Sequence, residues 1–304
     1  MSFGTMSGGP RRSISLRLAP IVMGLLAIGV MMIKNCQDGP FGRNQLVALN
    51  PEQEEALGMQ AFEEVLKQEQ VEPQGPIVAA VRQIADRLTR ATKNKQFLAD
   101  TGITLPEQGM NWQVEVVRST QQNAFCLPGG KIVVYTGILP VAETDAGLAT
   151  VMGHEIAHAL AHHGAERMAH SQMAQVGIAA AGSAMGDVPP EQRMRLMQML
   201  NVGAKFGIMA YGRDHESEAD HMGLLLMAAA GYDPRESVKF WERMQQYTQG
   251  PKQPEFLSTH PSHETRIRDL QRWMSDAMPF YESAADKPPP HPLPIDRAAM
   301  PSGL

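Results

Sequence analysis

Two short stretches constrain this chain most: His154-Glu155-Ile156-Ala157-His158 and, further along, Glu216-Ser217-Glu218-Ala219-Asp220. Thr144 and Asp145 offer an N-cap, and Ala146, Leu148, Val151, Met152, Ile156, Ala157 and Leu160 build an apolar helix face, so the first stretch reads as mid-helix. Four residues apart on a helix, His154 and His158 share one face and can reach a single metal ion, while Glu155 is rotated about a third of a turn away. That leaves Glu155 free to handle a water. Zinc takes N and O ligands in tetrahedral geometry, and a catalytic site uses three protein ligands and keeps a position for water. Two histidines of one helix and a carboxylate of a second complete that set, which predicts one Zn²⁺ per chain. With 10 His and 32 acidic residues in 304, chance supplies only about 0.03 such pentapeptides in a chain of this length. Accident is therefore a poor account of the motif.

Three blocks carry a family resemblance: Asn123 to Gly130 leading into Ile132 to Leu139, the helix His154 to Met168, and Glu216 to Gly223 followed by Gly231-Tyr232-Asp233-Pro234. In this ordered set the chain resembles the membrane-associated gluzincin zinc metallopeptidases that include the HtpX, BepA and Oma types and the CAAX prenyl proteases. The likeness runs over about Leu46 to Trp273. It implies a zincin-type fold, mainly α with a small β-sheet (α+β). It also implies that the third metal ligand is Glu216 rather than Glu218. Helical geometry agrees, because Glu216 and Asp220 are one turn apart on one face while Glu218 points about 160° away. Asp220 is then placed to orient a ligand histidine, and Glu218 is expected to be a solvated helix residue.

The resemblance further implies that His260, in Ser258-Thr259-His260-Pro261, approaches the reacting water or the oxyanion, with Arg266 beyond it. A cationic or N–H donor opposite the base is what hydrolysis through a tetrahedral intermediate needs. His260 and Arg266 therefore join Glu155 as candidate catalytic residues. The bland alternative leaves His260 at a loop end before a helix Glu264 to Met274, and Arg266 on the surface.

The helical blocks between 50 and 274 have no long linker, so residues 46–276 read as one folded domain. A hydrophobic content of 43% allows a sizeable core. The net charge of −5 gives no electrostatic footprint for nucleic acid. Cys36 and Cys126 are the only cysteines, which excludes a disulfide-dense scaffold, and two unpaired thiols are expected. Cys126 reads as a small buried hydrophobe, the alternatives being a fourth ligand or a redox switch.

Arg11, Arg12 and Arg17 precede an almost wholly apolar run from Leu18 to Ile33. No Ala-x-Ala-like site follows it, and Lys34-Asn35 closes it, so it reads as a single uncleaved membrane anchor. Basic residues on its amino side place the N-terminus in the cytoplasm and the catalytic domain on the periplasmic, extracytoplasmic side of the inner membrane. Residues 1–45 are thus a cytoplasmic tip, anchor and linker, with residues 1–9 disordered.

Asn50-Pro51-Glu52-Gln53 has the makings of a capping box opening a helix to about Glu69, and a second helix spans about Pro76 to Thr92. Trp112, Val114 and Val116 alternate as a strand, and Lys131 to Thr136 is β-branched and aromatic. The latter segment is expected either to pair with an extended substrate or to be an interior strand with no free edge. Ser171 to Gly212 reads as a helical hairpin broken at Val188-Pro189-Pro190, its Met-rich second arm either packing on the catalytic helices or forming a lid. His162 continues the metal face eight residues after His154, too far along to join the site. Residues 277–304 carry Pro288-Pro289-Pro290-His291-Pro292 and are expected to be an extended, unstructured tail.

The expected function is that of a membrane-anchored zinc endopeptidase. By analogy with the resembled family, its substrates are misfolded or misassembled envelope proteins in protein quality control. The rival is an assembly or chaperone-like factor on the same fold, its proteolysis latent and gated by His260 as a fourth ligand. Prenyl-protein processing needs a multi-span chamber, and a single short anchor argues against it.

Overall fold

The computed structural model describes residues 14–185, 188–247, 254–260 and 265–295. Residues 1–9 and 296–304, for which disorder was expected, lie outside these, as does Pro261.

Helix α1, Ile14–Asn35, contains an apolar stretch, Leu18–Asn35, long enough to cross a membrane. Its side chains are largely uncovered, Ile33 at 84% exposure. A two-stranded antiparallel hairpin follows, β1 Cys36–Asp38 with β2 Asn44–Leu46, where the sequence suggested only a polar linker. The hairpin turns Gln45 and Leu46 into the body of the protein, both buried.

Helix α2, Pro51–Gln68, opens with the expected reciprocal cap: Asn50 accepts from the Gln53 backbone N–H, and Gln53 accepts from that of Asn50. Helix α3, Pro76–Ala91, buries Val78, Val81, Ile84, Ala85 and Leu88 as one stripe. A further helix, α4 Lys95–Thr101, was not anticipated, although Asn94 caps its start and Gly102, at φ 72°, ends it.

Strands β3 Gln113–Val117, β4 Ala124–Leu127 and β5 Lys131–Tyr135 form one sheet in the order β3-β5-β4, parallel for β3 with β5 and antiparallel for β4 with β5. All five residues of β5 are buried. The segment first considered for substrate pairing is therefore the central strand with no free edge. The edges are β3 and β4, and β4 lies against the metal-motif helix.

After the short α5, Leu139–Ala142, Thr144 caps α6, Asp145–Leu160, by accepting from the Gly147 N–H. Every residue of α6 from Ala146 onward is buried, so this helix runs through the core. Contrary to the single long helix expected, α6 stops at Leu160. His162 takes a left-handed backbone, φ 52°, and α7, His163–Ala184, starts in a new direction.

Helix α7 packs along α1; a Cβ on Gly24 would stand 2.6 Å from that of Ala180. Helix α8, Pro190–Ala229, completes the predicted hairpin. Its Met194 and Met199 are 61% and 71% exposed, so they do not pack against the catalytic helices as core residues.

Helices α9 Arg235–Tyr247, α10 Glu255–Thr259 and α11 Arg266–Ser283 close the fold over α6 and α8. The unstructured tail expected from 277 needs correction in part. α11 continues to Ser283, and the extended chain beyond it is pinned by the Leu293 N–H donating to Glu143 O, with Leu293 itself buried.

The decisive contact for the site is the crossing of α6 and α8. A Cβ on Gly223 would lie 2.8 Å from the His154 nitrogen, and one on Gly153 would lie 3.1 Å from Gly223 O. Glycine at both positions lets the two backbones approach closely enough to bring the α8 carboxylates onto the α6 imidazoles.

Candidate metal centre

His154 and His158 project from one face of α6 with their Nε2 atoms 3.0 Å apart. Glu216, on α8, places Oε2 3.3 Å from His154 Nε2 and Oε1 3.4 Å from His158 Nε2. His260, which ends α10, brings its Nδ1 to 3.2 Å from His154 Nε2 and 3.0 Å from both Glu216 oxygens. All four side chains are buried, and their donor atoms lie within 4.8 Å of one another.

Such crowding of lone pairs is costly unless something positive stands between them. For ligand bonds of about 2.0 to 2.1 Å, the edge of a tetrahedron is about 3.3 to 3.4 Å, close to the separations seen. The donor set fits a bound metal ion.

Glu155 stays out of the donor group. Its Oε1 is buried without a hydrogen-bond partner among the described residues, and His260 Nε2 stands 3.3 Å away. Burial raises the Glu155 carboxyl above the usual range, against the pull of His260 and His154. Its other neighbour is the Cys126 backbone, on β4. The β4 edge of the sheet therefore faces the base.

Asp220 lies one turn after Glu216 and puts Oδ1 2.9 Å from His154 Nδ1. Arg266, at the start of α11, donates from Nη2 to Glu216 Oε2 at 2.9 Å and from Nε to Asp220. Its guanidinium rests 3.9 Å from the centre of the Trp241 ring. Arg266 is thus buried against the two carboxylates and not on the surface.

Burial alone would raise the Glu216 carboxyl, but His158, His154 and His260 outweigh it and hold it well below the usual range. Burial pushes the His158 imidazole down to about 3, whereas Asp220 and Glu216 outweigh burial at His154 and raise its imidazole to about 10.

A second polar cluster behind His158 was missed by the sequence reading. Glu218, expected to be solvated, is 8% exposed and bonded to Arg43 and His163. Glu166 has no exposed side-chain surface and accepts from Arg43 Nη1 and Nη2 at 2.9 and 2.8 Å and from Gln45 at 3.0 Å; His215 Nε2 lies 3.1 Å away. Burial, the His158 and His215 rings and Arg43 together push the His163 imidazole well below its ordinary value. No sequence spacing announced this cluster, because it depends on the break at His162. That residue lies off the metal face, its Nδ1 2.8 Å from Glu54.

Cys36 is exposed and Cys126 half-buried, and neither is paired. Burial and the nearby Glu155 raise the Cys126 thiol, and it stands outside the donor cluster.

A buried His-Glu-x-x-His helix, crossed by a second helix that supplies a carboxylate, defines a metallopeptidase of the zincin type. The sequence matches the description Peptidase family M48 over residues 87–274, and the chain belongs to that family.

It is 31% identical over 257 residues to the mitochondrial metalloendopeptidase OMA1 of Saccharomyces cerevisiae, covering 80% of this chain and 70% of that protein. Against the human metalloendopeptidase OMA1, mitochondrial, identity is 30% over 288 residues, 90% of this chain and 53% of the relative. Against the beta-barrel assembly-enhancing protease of Escherichia coli it is 26% over 175 residues, 56% and 36% of the two chains. The chain therefore spans about half the length of the human relative. The family and these relatives make the chain a metalloendopeptidase by class, a hydrolase.

Proposed function

We propose that the chain is a zinc-dependent endopeptidase held at an inner membrane by α1, its catalytic domain on the periplasmic or extracytoplasmic side, acting on misfolded or misassembled envelope proteins. The observation that carries this reading is the placement of the Glu155 carboxyl beside the donors His154, His158 and Glu216. His154, His158 and Glu216 would hold the zinc ion, which when bound would supply Lewis acidity toward a peptide carbonyl and a water. Glu155 accepts the proton of the attacking water and delivers it to the departing amine. His260 Nε2 donates toward the oxyanion. Asp220 orients the His154 ring, and Arg266 holds Glu216 and Asp220 in place.

An extended peptide adds to the free edge of β4. Tyr135 N donates to Asn123 O, so by the antiparallel alternation Asn123, Phe125 and Leu127 turn inward to β5. Ala124 and Cys126 then face outward, where the Ala124 N–H is held by Asn123 Oδ1 at 3.0 Å and the Cys126 N–H by Glu155, so their carbonyls are the acceptors for the peptide. The relatives' names, a mitochondrial metalloendopeptidase and a beta-barrel assembly-enhancing protease, support a role in membrane and envelope protein quality control.

A second reading is favoured by the position of His260 Nδ1 among the donors. As a fourth ligand it would keep the site closed, leaving an assembly factor with latent proteolysis. Casein cleavage by the full chain separates the two. Loss of activity in His260→Ala supports the oxyanion role, whereas a silent wild type awakened by His260→Ala supports the latent one.

A further inference from the structure

Only one of the two ring nitrogens of His158 is accounted for by the donor cluster. The other, Nδ1, lies 2.7 Å from Nδ1 of His163. On its far side His163 Nε2 lies 3.0 Å from Glu218 Oε1. Arg43 donates from Nη2 to the same oxygen at 3.2 Å and also from Nε to Glu218. The His163 ring is fixed laterally as well, stacked on His215 with centroids 4.1 Å apart and planes 11° from parallel. His163, His215 and Glu166 are buried, and the Glu218 side chain is 8% exposed.

Along this line the protons can be placed in one way. A ligating Nε2 carries no proton, so a neutral His158 bears its proton on Nδ1. That N–H points at His163 Nδ1, which must accept. His163 therefore bears its own proton on Nε2 and donates it to the Glu218 carboxylate, which Arg43 holds from the other side.

We propose that His163 and Glu218 are positioning residues for the metal ligand His158, an imidazole relay that fixes its tautomer and ring orientation, with Arg43 closing the relay from the segment just beyond α1. Ligating histidines generally hand this second N–H directly to a carboxylate or carbonyl, and His154 has such a carboxylate beside its Nδ1, Asp220 Oδ1 at 2.9 Å. His158 reaches its carboxylate through one intervening ring. The consequence is a bonded path from the hairpin that follows the apolar helix to the metal centre. This inference rests on the reading of His158 as a zinc ligand.

The test uses the full chain in detergent micelles, ¹⁵N-labelled at histidine and loaded with zinc. Long-range ¹H–¹⁵N imidazole spectra report which nitrogen of each ring is protonated. The expected result is His158 protonated at Nδ1 and His163 at Nε2. A His163 protonated at Nδ1, or at both nitrogens, overturns the relay.

Zinc affinity, read by chelator competition, gives a second arm. His163→Phe keeps the ring stacked on His215 but accepts no hydrogen bond, and is expected to weaken zinc binding about 10- to 100-fold. His163→Asn, whose Oδ1 stands where Nδ1 does, is expected to recover most of that loss. A folded His163→Phe with wild-type affinity contradicts the proposal, and if that variant does not fold the wild-type spectra decide. Wild type that binds no zinc overturns the proposed function itself, whereas zinc bound with the wrong tautomer overturns the relay alone.

Discussion

Arg266 Nη2 donates to Glu216 Oε2 at 2.9 Å, joining the first turn of α11 to the carboxylate of the candidate metal centre. The same guanidinium reaches Asp220 and has almost no solvent contact, 1% for its side chain. Its charge is thus matched by two buried carboxylates that cannot be left unpaired. Arg266→Ala is expected to cost about 3 to 5 kcal/mol of stability and to lower zinc content, both measurable by chemical denaturation and metal analysis. Arg266→Lys restores the charge but not the fork that serves two carboxylates at once, and should recover only part. An Arg266→Ala protein as stable as wild type would contradict the clamp.

Glu166 gives a pH dependence with a definite sign. Burial would raise its carboxyl, but His170, His215 and Arg43 outweigh that and hold it far below the ordinary carboxylate range. A carboxyl depressed in the folded state stabilises the fold above its unfolded value of about 4.3, and that contribution fades as pH falls further. Glu166→Gln should therefore lower stability by about 3 to 5 kcal/mol at neutral pH, with the gap to wild type narrowing below about pH 4. Denaturant titrations at pH 7 and pH 3.5 read this directly. A gap that widens in acid would show the assignment to be wrong.

The outward placement of the Cys126 N–H on β4 predicts an effect on the base. That N–H meets the Glu155 carboxylate and favours its charged form. Cys126→Pro removes the donor while leaving the inward-facing pairs with β5, so the acid limb of the kcat/KM profile is expected to move to higher pH at unchanged zinc content. An acid limb that stays in place would argue that this N–H does not tune the base.

What could be read in advance follows the range of the interactions. Spacing within a helix set His154, His158 and Glu155 relative to one another, because side-chain direction there is set by the backbone alone; the choice of Glu216 came from the family resemblance, and helix geometry then put Asp220 on its face. Caps marked the starts of α2 and α6 just as directly. The cluster of Arg43, Glu166, His215, Glu218 and His163 was hidden, since its members come from three places, the β1–β2 hairpin, α7 and α8, that only the fold brings together. The turn at His162 was hidden too. Neither glycine nor proline marks it, and its left-handed backbone occurs where Glu54 holds the ring from another helix. The β4 edge was overlooked because Ala124 to Leu127 is short and its pairing is with β5, across the Gly129-Gly130 turn.

The central claim is that Glu155 handles the proton while His154, His158 and Glu216 hold the metal. Its most direct test is casein cleavage by the full chain in detergent, wild type beside Glu155→Gln, with zinc per chain measured on the same samples. The account predicts about one zinc in each protein and cleavage lower in the variant by at least about 10² to 10⁴. Cleavage by Glu155→Gln at the wild-type rate, with zinc bound, would contradict it.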